Sequence, residues 1–176
     1  MSGFKVYDSN YPHFVTITTV EWMTLFIHRE YTRIVLDSLR FCQKEKGLRI
    51  HAYVIMPDHL HLIVSAMELA RVIGLFKSFT AREIVAQLEA ENSRLYLWLA
   101  QDAARKAGEG EHKIWQDGFH PEQIHTKPFF EQKLAYIHDN PVRRGLVAMP
   151  AYWLHSSAGH YYDAQESVIK VEPIEW

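Results

Sequence analysis

A chain of 176 residues with 48% hydrophobic content is long enough for one well-packed domain, spanning 1–176, and short for two. Its 19 basic and 21 acidic residues give a formal charge of -2, which excludes a protein that coats nucleic acid through bulk positive charge but leaves room for a local basic groove. Cys42 is the only cysteine, so an internal disulfide and a multi-thiolate zinc site are both excluded, and any metal must be held by His, Asn, Asp or Glu.

No apolar run is long enough to span a bilayer, and Met1-Ser2-Gly3-Phe4-Lys5 lacks the basic and apolar regions of a secretory signal, so a cytoplasmic location with no membrane partner is expected. Pro12 introduces a β-branched run over 14–20, the first predicted strand. From Arg29 to Lys46, Tyr31, Ile34, Val35, Leu39, Phe41 and Cys42 fall at helical spacing, and Gly47 stops the helix.

Ile50 to Ile55 reads as a second strand, Met56-Pro57-Asp58 as a tight connection, and the residues from His59 to Ser65 as a third strand. Side chains alternate along a strand, so His59 and His61 project from one face and Leu60, Leu62 and Val64 from the other. Two imidazoles on a rigid strand backed by an apolar face suit metal ligation. They are also compatible with two histidines on a solvated or hydrogen-bonded face.

A second long helix begins near Glu68, where Leu69, Val72, Ile73, Phe76, Phe79, Ile84, Val85 and Leu88 form a core stripe with Lys77 and Arg82 off it. A helical continuation over 93–107 carries Leu95, Trp98, Leu99 and Ala103 and ends in the polar loop 108–111. Lys113 to Gln116 reads as the fourth strand, and the stretch up to Lys127, with His120 and His125, as a loop. Phe130, Leu134 and Ile137 then mark a helix over 129–140, closed by Pro141. The tail is rich in aromatics, with Trp153, Tyr161, Tyr162 and Trp176.

This order of elements is that of an α+β fold, the ferredoxin-like split βαβ antiparallel sheet, with an additional C-terminal helix. Two long helices would cover one face and leave His59 and His61 on the other. The last helix would fold over that open face. On it, Tyr136 and Asn140 are four residues apart and share a side turned away from the apolar stripe. His138 reads as a surface histidine.

Several blocks carry a more specific signal. Tyr53 to Val64 (Y-V-I-M-P-D-H-L-H-L-I-V), Phe76-Lys77-Ser78-Phe79-Thr80, Ile114-Trp115-Gln116 and above all Tyr136 to Val147 (Y-I-H-D-N-P-V-R-R-G-L-V) resemble the HUH-type single-tyrosine transposases of small bacterial insertion sequences, in particular the REP-associated tyrosine transposases. The resemblance runs from about Tyr11 to Tyr161. It implies a transposase whose metal pair is His59 and His61, with Asn140 completing the site, whose cofactor is Mg²⁺ or Mn²⁺, and whose nucleophile is Tyr136. It further implies nicking and rejoining of single-stranded DNA through a covalent 5'-phosphotyrosine, on hairpin or palindromic repeats, by a monomer or homodimer.

Candidate DNA contacts are Lys77, Arg82, Arg143 and Arg144, with Trp115 as a stacking platform. Two other readings fit the residues: a metal-dependent phosphodiesterase that activates water at the histidines, and a non-catalytic single-stranded nucleic-acid-binding module.

Overall fold

The computed structural model describes residues 11–163 and 165–174; the chain start and Trp176, both considered above, lie outside them. Strand β1 (His13–Thr18) leads through two short 3-10 turns into helix α1 (Arg29–Lys46). The hairpin of β2 (Arg49–Ile55) and β3 (His59–Ser65) follows, then α2 (Leu69–Ala90) and α3 (Arg94–Ala107). The short strand β4 (Glu122–Gln123), α4 (Lys127–Arg143) and α5 (Ala158–Tyr162) complete it. The sheet order is β2-β3-β1-β4 with every pairing antiparallel, the α+β split arrangement expected from the order of elements.

Strand alternation sorts the sheet into two faces. Val15, Ile17, Tyr53, Ile55, Leu60, Leu62 and Val64 point into a core with Tyr31, Val35 and Leu39 of α1 and Val72, Ile73 and Phe76 of α2. Phe14, Ala52, Val54 and Ile63 point the other way, into a smaller core with Phe130 and Ile137 of α4. The outer edge of β2 is covered rather than left open: Ile55 N–H donates to the His155 carbonyl, Ser157 N–H to the Tyr53 carbonyl and Glu172 N–H to the Ile50 carbonyl. Among the described residues, no helix is long and apolar enough to cross a membrane.

The structure corrects four sequence readings. The fourth strand is Glu122–Gln123, paired with Phe14 and His13, inside the stretch read as a loop. Lys113 to Gln116 meets only the end of β1, with one bridge, Thr19 to Trp115, where Gln116 N–H donates to the Thr18 carbonyl and Val20 N–H to the Ile114 carbonyl. Phe41, Phe79, Leu95 and Trp98 match the helical rhythm but are exposed. In α3 the buried face is instead Ala100, Ala103 and Ala104, small side chains that allow close approach and carry a weak hydrophobic signal.

Pro141 does not end α4, which runs on to Arg143. A proline in the last turn loses only its own N–H bond. Termination falls on Gly145, at φ 68°, with Gly145 N–H donating to the Val142 carbonyl and Leu146 N–H to the Pro141 carbonyl. That is a Schellman closure, which needs a left-handed residue and finds glycine there.

Finally, His138 is fully buried, not at the surface. Its Nε2 lies 2.8 Å from Ser157 Oγ, which also accepts from Tyr53 N–H at 2.9 Å, so α4 is tied through its concealed face to β2.

Candidate active site

β3 places His59 and His61 two residues apart on the α4 side of the sheet, with ring centroids 4.7 Å apart at 72°. Both are buried. His59 Nδ1 is 2.5 Å from Asp58 Oδ1, and a carboxylate can only accept, so that nitrogen carries a proton and Nε2 is the nitrogen left for a metal. His61 Nδ1 is 2.9 Å from Thr16 Oγ1 on the neighbouring strand, which again leaves Nε2 unoccupied. Each imidazole is therefore oriented from behind in the way metal-binding histidines are.

Charge is arranged to match. Burial, reinforced by His59, Arg144 and Lys133, lowers the His61 pKa to about 3, so its ring is neutral at pH 7. Burial opposes ionisation of Asp58, but the bond from His59 and the charge of Arg144 outweigh it and hold the carboxyl below its usual value. Arg144 Nη1 reaches Asp58 Oδ1 at 3.1 Å and Oδ2 at 3.2 Å, tying the end of α4 to the hairpin that carries the histidines.

Tyr136 of α4 comes to this pair from above. Its ring centroid is 5.3 Å from His61 and 5.8 Å from Phe14, which itself stacks on His61 at 5.3 Å and 25°. Tyr136 is 39% exposed, so its ring rests on His61 and Phe14 while the side chain stays partly open to solvent. The Arg143 guanidinium lies 5.8 Å from its ring centre. Lys133, one turn earlier, sits 4.4 Å from the centre of Phe14 and pairs with Glu122 at 2.8 Å. Asn140 Nδ2 donates to the Tyr136 carbonyl at 2.7 Å, which leaves its Oδ1 without a hydrogen-bond partner among the described residues. The phenol and the imidazoles belong to the same chain.

This donor set fits a hard or borderline divalent ion: two imidazole Nε2 atoms and an amide oxygen one helical turn from the phenol. Among the described residues no cluster of three or more His, Cys, Asp or Glu side chains could hold a metal.

Six of the candidate residues thus share one region: Tyr136, Asn140, Arg143 and Arg144 on or just after α4, and His59 and His61 of the hairpin. Three other candidates lie elsewhere. Lys77 donates to the Gln116 and Gly118 carbonyls at 2.7 Å each, clamping that loop, and burial lowers its pKa. Arg82 lies over Phe79 on α2, a helix that packs on the opposite face of the sheet.

Trp115 is 4% exposed, stacked on Phe26 at 5.7 Å, and its Nε1 donates to Thr80 Oγ1 at 3.0 Å, so no ring face is open to a base. Trp115→Phe is expected to cost about 1–2 kcal/mol by removing the bond that Nε1 donates to the buried Thr80 hydroxyl and leaving part of the indole's space unfilled. A lower urea midpoint with unchanged DNA affinity at 25 °C would check this.

Sequence reasoning passed over Asp58, Thr16, Phe14 and Lys133. Alternation alone puts Phe14 and Thr16 on one face of β1, but only the register of β1 against β3, with Thr16 opposite His61, shows that this is the histidine face. Asp58 was legible as the residue before His59 and was absorbed into the turn.

The buried imidazoles predict a pH dependence. His61 titrates at about 3 and His138 at about 4 in the folded chain, both chiefly through burial, against about 6.5 when unfolded. The unfolded chain therefore binds protons that the native state refuses, so stability is complete above pH 6.5 and is lost as pH falls from there toward 4. The slope is up to ~1.4 kcal/mol per pH unit for each group. Urea midpoints measured from pH 7 to 4.5 should fall steadily, and less steeply in His138→Gln.

Comparison with known proteins gives a likeness in fold and a family. A solved structure of a REP-associated tyrosine transposase bound to a REP hairpin covers 100% of both chains at a TM-score of 0.63 and 17% identity. A protein of Deinococcus radiodurans R1 described as a transposase covers 79% of this chain and 97% of its own, at a TM-score of 0.43 and 17% identity. Curated protein sequences give no match. The model of the family described as transposase, IS200 like, matches residues 5–140, and on that span the chain belongs to the IS200-like transposases, a family of DNA-processing enzymes.

Proposed function

We propose that this transposase breaks and rejoins single-stranded DNA through a covalent bond to Tyr136, with a divalent metal, Mg²⁺ or Mn²⁺, held by His59, His61 and Asn140. The observation that carries the reading is the approach of a partly exposed phenol to the metal-suited pair: a half-exposed tyrosine ring 5.3 Å from His61, on a helix fixed to the sheet at His138 and at Arg144.

The bound ion would withdraw charge from a non-bridging phosphate oxygen and so ease attack on an anionic diester. Tyr136 Oη attacks phosphorus and loses its proton. The bond from phosphorus to the 3' oxygen breaks, that oxygen takes up a proton, and the downstream strand stays attached to the protein by its 5' phosphate. One phosphodiester replaces another of similar energy, so the step reverses without ATP. Arg143, beside the phenol, supplies positive charge where the phosphate must sit.

Asp58 and Thr16 act through the imidazoles, fixing which nitrogen of each faces the substrate. Arg144 holds the end of α4 against the hairpin. The full-length structural likeness to a transposase bound to a REP hairpin supports hairpin or palindromic repeat DNA as the substrate class.

The test uses a pool of single-stranded hairpin oligonucleotides with randomised flanks, incubated with the protein and Mn²⁺. The expected result is a denaturation-resistant protein–DNA band that carries a 3'-end label but not a 5'-end label, with the modified peptide mapping to Tyr136. Cleavage to free ends with no such band would overturn the proposal in favour of a water-using phosphodiesterase.

A further inference from the structure

Immediately after β1 the chain turns on Val20, Glu21, Trp22 and Met23, and Met23 N–H donates to the Val20 carbonyl at 3.2 Å. Both central residues have positive φ, 50° at Glu21 and 49° at Trp22. That is the φ signature of a type I′ turn, which selects Asn and Gly because a β-carbon in the left-handed region crowds the following carbonyl. A glutamate and a tryptophan stand there instead.

The flanks explain how the strain is held. Val20 and Met23 are buried, and Thr19 Oγ1 lies 3.0 Å from the Met23 carbonyl and 2.9 Å from that of Asp58. Glu21 is accounted for by Lys106, whose amine is 3.6 Å away. Trp22 is not accounted for. Its side chain is 63% exposed, and among the described residues its ring has neither an aromatic nor a hydrogen-bonding partner. Strain that a simple Asn-Gly turn would avoid is retained at a residue whose exposed ring has no such partner among the described residues, which points to function.

The turn is tied to the hairpin that carries the candidate histidines, while Val20 and Met23 anchor it in the helix-side core. Thr18 faces His59 across the ladder, Thr19 N–H donates to the Asp58 carbonyl at 3.0 Å, and Phe26 N–H donates to the Pro57 carbonyl at 2.9 Å. Trp22 is four residues past Thr18, at most ~14 Å of extended chain. The indole therefore stands on a rigid mount at the end of the sheet where His59 lies. Resting on the reading that this site breaks single-stranded DNA, we infer that Trp22 is a stacking platform for a base of that strand, within a few nucleotides of the break. A rigid exposed indole offers a π-face to any base without discrimination, and needs no ordering when the strand arrives.

The test measures the dissociation constant of a 3'-labelled hairpin oligonucleotide by fluorescence anisotropy, in a Tyr136→Phe background that cannot cleave. Trp22→Gly should weaken binding about 5- to 100-fold, the range for loss of one base–aromatic stack. Its melting temperature should hold or rise, because glycine takes φ near 49° without strain. Trp22→Phe should retain most of the affinity. Trp98→Ala, which removes a comparably exposed indole on α3, should leave it unchanged.

Abasic sites walked along the oligonucleotide should reveal one position that weakens binding to the Trp22 protein and has no effect with Trp22→Gly. Unchanged affinity in Trp22→Gly, the absence of such a position, or a lowered melting temperature showing that the indole packs on the protein, would each overturn the inference. Formation of the Tyr136 adduct by Trp22→Gly in an otherwise unaltered chain shows separately whether the covalent reading stands.

Discussion

Tyr136→Phe is expected to abolish the covalent protein–DNA band, a loss of at least about 10⁴-fold of the kind seen when a covalent nucleophile is removed, while the fold keeps its stability. The two halves of this expectation come from the same geometry. The ring of Tyr136 is what the protein uses structurally: it packs edge-on against Phe14 and His61 and lies under Arg143. Its hydroxyl has no hydrogen-bond partner among the described residues, so phenylalanine keeps every ring contact and removes only an oxygen. The melting temperature should then stay within the range of a neutral surface change, about 0.5 kcal/mol.

Tyr161 supplies the contrast. Its hydroxyl donates to the His51 carbonyl at 2.6 Å and its ring packs on His138 at 5.3 Å, so Tyr161→Phe should lower stability by about 1 kcal/mol and leave adduct formation intact. An adduct that survives in Tyr136→Phe and disappears in Tyr161→Phe would remove Tyr136 from the reaction.

The contrast also shows what a sequence can and cannot convey about such a site. The strand alternation that puts His59 and His61 opposite Leu60 and Leu62, and the four-residue spacing that puts Tyr136 and Asn140 on one side of a helix, are local and periodic, and they were legible directly. So were the limits of α1, set by Gly47 in its left-handed C-cap. What was not legible depends on pairing between distant segments. The edge strand is two residues long and is a strand only because His13 and Phe14 need partners there, so no run of β-formers marks it.

His138 differs from an exposed helical histidine only in what α5 and the Ser157 hydroxyl bring to it, more than fifteen residues later in the chain. Trp115 and Lys77 show the same limit: an aromatic and a cation near a nucleic-acid motif look the same in sequence whether they face solvent or hold the fold together. Trp115 is buried and Lys77 is bonded to two loop carbonyls, and both are properties of the whole fold.

His61→Ala is the second substitution with a large expected effect, and its readout is binding. If His59, His61 and Asn140 hold the ion, titrating Mn²⁺ into the wild-type chain should release heat and raise its melting temperature, by an amount equivalent to about 2.7 kcal/mol at a hundredfold excess over the dissociation constant. In His61→Ala both signals should vanish, since two ligands from a pair and an amide become one imidazole and an amide. The variant should still fold, because the ring it loses makes a single side-chain hydrogen bond, to Thr16, and is itself a desolvated polar group in the native state.

Asp58→Asn separates orientation from ligation. Both imidazoles remain, but the carboxylate that fixes the His59 tautomer and anchors Arg144 is gone. Mn²⁺ affinity should fall about 10- to 100-fold rather than disappear, as for the loss of a carboxylate behind a metal-binding histidine. Equal affinities in wild type, His61→Ala and Asp58→Asn would place the ion elsewhere, and the paired imidazoles would then be a hydrogen-bonded support beneath Tyr136.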